Sequence, residues 1–172
     1  VNHRAEWADA FRTEAARIGA CLGPKAVEVD HIGSTAVPGL VAKPVIDLAV
    51  RAAAGVDPFS LGPELATIGY AQHWGGPTNH GVYVRSADGE RTHILHAFAE
   101  DEWEHCHQRL FRDRLLRDSQ ARRRYAELKQ SLANRHVGGR DYTAAKRGLV
   151  EQLVNDERAR RGLPWVAVWD KE

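Results

Sequence analysis

His31-Ile32-Gly33-Ser34-Thr35-Ala36-Val37-Pro38-Gly39-Leu40-Val41-Ala42-Lys43-Pro44-Val45-Ile46-Asp47 is the stretch of this 172-residue chain on which its reading turns. It starts at the end of Val27-Glu28-Val29-Asp30-His31-Ile32, where apolar and polar side chains alternate as in a half-buried strand. It ends inside Pro44-Val45-Ile46-Asp47-Leu48-Ala49-Val50, a β-branched run that reads as an interior strand carrying one carboxylate. Asp is depleted in strands and costly to bury unless it is paired or bound to metal, so Asp47 needs a reason to be there. The bend between the strands suggests one. Gly33 lets the main chain come close to a ligand, and Ser34 and Thr35 offer donors at an expected helix start. Lys43 can add positive charge, and a carboxylate beside bound phosphates is what Mg²⁺ requires. No G-x-x-x-x-G-K-[ST] spacing is present, so this is not a Walker loop.

Outward from this stretch the pattern is mixed. Trp7, Phe11, Ala15, Ile18 and Leu22 recur at helical steps, and Gly23-Pro24 ends that helix. A helix is expected from Pro58 to Ile68. Strands are expected at Val82 to Val84 and Thr92 to Phe98, joined by a turn at Ala87-Asp88-Gly89-Glu90. From Glu102 the periodicity turns helical, with one apolar stripe at Tyr125, Leu128 and Leu132 and another at Tyr142, Ala145, Leu149 and Leu153. Gly138-Gly139 breaks between them. Beyond Asp156 an apolar tail, Leu163 to Trp169, either packs back on the body or meets a partner copy as a homodimer contact. The expected fold is α/β (α+β): a mixed β-sheet with a leading helix and a C-terminal helical bundle over 1–155, then an extension over 156–172.

Composition narrows the class. With 43% hydrophobic and 27% charged residues, the chain is neither disordered nor fibrous. No apolar run approaches the roughly 18–20 residues of a membrane span. The amino terminus lacks a basic-then-apolar pattern, so no secretory signal is read there. The sequence has no Met, which implies a removed initiator or a start inside a longer reading frame. Cys21 and Cys106 form no ladder or Cys-x-x-Cys site, so a cytoplasmic protein with reduced thiols is expected. Charge is uneven. From Arg109 to Arg147 there are 12 basic and 4 acidic residues, a balance of +8, against −7 elsewhere. Such a run can face an anionic ligand or simply be a solvated helix surface. No aromatic interleaving accompanies it, so nucleic acid is not an expected partner.

The stretch from His31 to Asp47 resembles the GrpB family, whose members carry a nucleotidyltransferase-like fold of the DNA polymerase beta superfamily. A copy of the family domain is fused to dephospho-CoA kinase in some bacteria. Ordered matches continue at Arg91-Thr92-His93 with Leu95-His96, at Phe111-Arg112-Asp113, at Tyr125 with Leu128-Lys129, and at Tyr142 with Lys146. The resemblance runs from about Trp7 to Leu153. It implies a minimal nucleotidyltransferase that moves a nucleotidyl group from ATP or another NTP to a small-molecule acceptor with a divalent metal. Gly33, Ser34 and Thr35 would hold phosphates, Asp47 the metal, and Lys43 and Arg112 would offset developing charge. Lys129, Tyr142 and Lys146 are further candidates for binding, set against packing with their tips in solvent.

One departure from the superfamily matters. Active members carry a second carboxylate two residues after the first and a third on a later strand, while here Asp47 is followed by Leu48-Ala49. His93 and His96 stand where the third would be, as metal ligands or acid–base groups, and imidazole would favour Zn²⁺, Mn²⁺ or Fe²⁺. Three residues apart on a flat strand, they face opposite sides, so one is expected at the pocket. The alternatives to a transferase are a non-catalytic nucleotide- or coenzyme-binding module that assists a partner, or a histidine-based metal enzyme. His105 and His107 beside Cys106 do not share a helix face and read as surface residues.

Overall fold

The structure is a computed structural model that describes residues 1–134 and 139–168, with backbone alone over 139–143. The expected break at Gly138 and the side chain of Tyr142 therefore lie outside the described part, as does Trp169. The chain divides into two compact units, Val1–Cys106 and His107–Glu172.

The first unit is built on a five-stranded sheet: β1 (Ala26–Ile32), β2 (Ile46–Ala52), β3 (Tyr70–Gln72), β4 (Gly81–Ala87) and β5 (Glu90–Phe98). Their spatial order is β1-β2-β5-β4-β3. Only β2 and β5 run parallel, and every other neighbouring pair is antiparallel. The sheet is therefore mixed, as expected. Asp88 and Gly89 both take positive φ (53° and 79°), the type I′ geometry that the Asp-Gly pair favours in a two-residue hairpin.

Helix α1 (Glu6–Leu22) covers one face of this sheet. Trp7, Ile18 and Leu22 pack there against Ile46, Leu48 and Val50 of β2, Leu95 and Ala97 of β5, and Tyr83 of β4. The alternate residues of the same strands point the other way, where Ile32, Ala49 and Phe98 bury with Trp103 and Cys106. β2 is thus covered on both sides, which explains its nearly continuous apolar run. Helix α2 is shorter than the sequence suggests, Gly62–Ala66, because the chain after Pro58 is first taken up by turns. The three-residue β3 has too little alternation to be read from sequence.

The second unit contains α3 (His107–Arg117), α4 (Ser119–Asn134) and α5 (Gly139–Arg160). Leu110, Leu115, Ala121, Tyr125, Val150, Leu153 and Val154 are buried. Residues 163–168 fold back on α5. The Asn155 carboxamide donates to the Val166 carbonyl at 2.8 Å and accepts from the Val166 N–H at 2.9 Å, while Arg158 donates to the Pro164 carbonyl at 2.7 Å. Of the two uses open to the tail, packing on the body is the one seen for these residues.

Candidate functional site

Asp47 leaves β2 on the face away from α1, half-buried, with Ile32 of β1 on one side and Ile94 of β5 on the other. Gly33 follows β1 directly, with φ 73° and ψ −176°, a conformation essentially restricted to glycine. Its main chain lies against Asp47. A Cβ on Gly33 would stand 2.5 Å from Asp47 Oδ2 and 3.0 Å from its Cγ. The bend and the carboxylate are therefore built as one unit, and the absence of a side chain at position 33 is what lets them meet.

Ser34–Ala36 is one 3₁₀ turn, closed by Ala36 N–H donating to the Gly33 carbonyl (3.1 Å) and Val37 N–H to that of Ser34 (3.3 Å). The expected helix start is corrected accordingly. A single turn carries little of the aligned dipole that a longer helix presents to an anion. Ser34 is half-buried on this turn. Thr35 is buried, and its hydroxyl lies 2.9 Å from His31 Nε2 and 3.4 Å from the Val45 carbonyl it donates to. His31 itself stacks on Phe11 of α1 at 4.7 Å, so His31 and Thr35 brace the bend from below. Lys43 is exposed in the segment leading into β2.

The two histidines of β5 part company. His96 shares the face of Asp47, standing opposite Ala49, two residues along β2 from the carboxylate. Burial pushes its pKa down to about 4, so the ring is neutral near pH 7. His93 points to the α1 face. Burial lowers its pKa, with the negative charge of Glu14 pulling the other way and Arg85 and Arg17 adding to the fall. The structure does not bring His93 together with Asp47, because residues three apart on a strand fall on opposite faces. Among the described residues, no group of three His, Cys, Asp or Glu side chains is placed to hold a metal ion. A cation at Asp47 would take most of its ligands from phosphate and water, which is the habit of Mg²⁺ rather than of Zn²⁺.

On the α1 face lies a cluster the sequence reading did not single out. Glu14 is 3% exposed. It accepts from Tyr70 Oη (2.8 Å), Arg17 Nη1 (2.9 Å) and Arg85 Nη1 (2.8 Å). The signal was available, since Trp7, Phe11, Glu14 and Ile18 follow each other at steps of four, three and four. A carboxylate on the apolar stripe of a helix implies a buried partner.

The remaining candidates belong to the second unit. Arg112 is paired through Nη2 with Asp113 at 2.8 Å, and Asp113 also receives Arg161 at 2.7 Å. Lys129 Nζ lies 5.4 Å from the centroid of the Tyr125 ring, which forms a T-shaped pair with Phe111 at 5.0 Å between centroids. Lys146 is half-buried on α5. The +8 run is partly balanced inside its own unit: Arg114 pairs with Asp118 at 2.9 Å, and Arg117 lies 3.6 Å from the fully buried Glu157. An open groove of about 570 Å³ is lined by Arg124, Glu127, Leu128, Ser131 and Leu149. Another of about 640 Å³, in the first unit, lies between Ala53–Asp57 and Ala99–Asp101. Neither groove is lined by Asp47.

Comparison with known proteins points one way. A family model described as GrpB protein matches residues 1–156. A UPF0157 protein of Halalkalibacterium halodurans is 35% identical over 159 residues, covering 89% of this chain and 78% of that one. The chain spans 62% and 40% of two further curated relatives. The crystal structure of the conserved protein GrpB from Enterococcus faecalis superposes with TM-score 0.79 at 26% identity, covering 94% of this chain and 98% of the other. A structure of Cid1, an RNA terminal uridylyl transferase, aligns with TM-score 0.50 at 14% identity over 77% of this chain and 42% of that one. This last likeness concerns the fold alone, which is nucleotidyltransferase-like. No described helix is long and apolar enough to cross a membrane.

Proposed function

From the premise that this chain belongs to the GrpB family and has a nucleotidyltransferase-like fold, we propose that its Asp47 face binds a nucleoside triphosphate with a divalent cation and transfers a nucleotidyl group to a small acceptor. The observation that carries this reading is the contact of Gly33 with the Asp47 carboxylate. It sets main chain and one acidic group side by side where phosphates and their counter-ion would sit. Asp47 would hold Mg²⁺, which when bound neutralises phosphate charge. The bend at Gly33 and Ser34 would orient the phosphates, and exposed Lys43 would add positive charge. His96, neutral and on the same face, would take the acceptor's proton. His93, on the other face, has no part in this site.

A second reading rests on Ala49. Fully buried, it occupies the position of the missing second carboxylate, so the site could bind a nucleotide or coenzyme without turning it over. Titration calorimetry with ATP and MgCl₂, followed by a search for released pyrophosphate over a metabolite panel, separates the two. Heat that needs both ATP and Mg²⁺, with pyrophosphate released, supports transfer. Heat without release supports the binding module, and no heat with any triphosphate removes both. Asp47→Asn is expected to weaken the metal-dependent binding by at least about tenfold, the loss of one charge-assisted ligand, while thermal unfolding stays close to wild type. An Asp47→Asn protein that unfolds would make the carboxylate a structural group.

A further inference from the structure

We infer that His80 and Asn79, in the loop between β3 and β4, set the tautomer of His96 and so turn the bare Nε2 of His96 toward the chemistry of the Asp47 face. The geometry runs through three side chains. His80 Nδ1 lies 2.9 Å from Asn79 Oδ1, and His80 Nε2 lies 2.9 Å from His96 Nδ1. A carboxamide oxygen carries no hydrogen, so His80 Nδ1 is the donor to it. In the neutral ring His80 Nε2 is then an acceptor, and the hydrogen between the two imidazoles belongs to His96 Nδ1. A neutral His96 with hydrogen on Nδ1 keeps a lone pair on Nε2.

The arrangement is held rigidly enough for a tautomer to be fixed. His80 is 2% exposed and stacks on Phe98 with centroids 4.5 Å apart. The next residue, Gly81, lies so close to the Pro58 carbonyl that a Cβ would stand 2.3 Å from its oxygen. The same carbonyl accepts from Tyr83 Oη at 2.8 Å, which ties the end of the loop to the core. This is the logic by which an outer partner orients an imidazole at metal and acid–base sites. What the lone pair serves rests on the function proposed above, where it is the proton acceptor on the Asp47 face. The tautomer does not depend on that function.

Long-range ¹H–¹⁵N correlation spectra of the labelled full chain at neutral pH read the tautomer directly. His96 is expected to show a protonated Nδ1 and an unprotonated Nε2. In His80→Phe, which keeps a stacked ring but cannot accept, His96 is expected to move to the Nε2–H form as its major state. Asn79 is exposed, so Asn79→Ala provides a variant that should fold whatever His80→Phe does. It is expected to reduce the Nδ1–H population of His96. A wild-type His96 protonated at Nε2, or a pattern unchanged in either folded variant, would overturn the inference. A failed nucleotide titration leaves these spectra unaffected, so the two proposals can fail separately.

Discussion

Glu14→Ala is expected to lower the stability of the first unit by about 3 kcal/mol, the low end for breaking a buried ion pair. The carboxylate is 3% exposed, whereas Arg17 and Arg85 are 38% and 32% exposed and recover part of their hydration when it is removed. Tyr70 recovers none. Its hydroxyl is buried, with its pKa pushed up by burial and then by Glu14, so it would lose its acceptor inside the core. Hydrogen exchange of β2 amides measures the loss for this unit alone, which matters in a chain of two units. A cost below about 1 kcal/mol would mean that the cluster behaves as a surface ion pair.

The same residue fixes the sign of an acid effect. Burial raises the pKa of Glu14, but the hydrogen bonds from Tyr70 and Arg17, with the charges of His93 and Arg85, outweigh it and leave the carboxyl below its ordinary value of 4.5. The native state therefore holds fewer protons than the unfolded state just below that pH. The stabilisation is complete above the ordinary value and declines as pH falls through the lowered native one. Between pH 6 and pH 3, wild type should lose more stability than Glu14→Gln, which has no such carboxyl to protonate. Equal losses would place the acid sensitivity in other groups.

Much of this architecture was legible, and the parts that were not share a cause. Alternation marked β1, the turn at Ala87–Glu90 marked the hairpin of β4 and β5, and the β-branched run around Asp47 marked β2, the strand that is buried on both faces. The single Asp in that run picked out the residue that Gly33 contacts. Missed were features set by pairing between distant segments. β3 is too short to show a period, and His80 is sixteen residues from the His96 it contacts. Whether His93 or His96 joined Asp47 depended on register. Once Ala49 stands opposite His96 and Ile46 opposite His93, the faces are decided. The basic run read correctly as charge but not as ion pairs, because Glu157 and Arg117 meet only after α5 returns along α3.

Gly33→Ala is expected to cost about 2–3 kcal/mol, more than a left-handed glycine normally would, because two penalties coincide. The first is the backbone, where φ 73° with ψ −176° is strained for any residue with a Cβ. The second is Asp47, whose Oδ2 would be 2.5 Å and whose own Cβ 3.0 Å from the new methyl. The carboxylate tip can swing aside, but its Cβ is fixed to β2, so the bend must also shift. Gly39 provides the control. Its φ is 80°, yet a Cβ there would meet nothing within 4 Å, so Gly39→Ala carries backbone strain alone and should cost about 1 kcal/mol. The difference between the two variants measures the Asp47 contact. It should shrink when both are remade in an Asp47→Ala background, the non-additivity expected of touching residues. If the proposed site is right, Gly33→Ala should also lose metal-dependent ATP binding while it remains folded, since the displaced carboxylate no longer faces the bend. A Gly33→Ala protein as stable as Gly39→Ala, binding ATP and Mg²⁺ as wild type does, would separate the bend from the carboxylate and remove the main support for placing phosphates there.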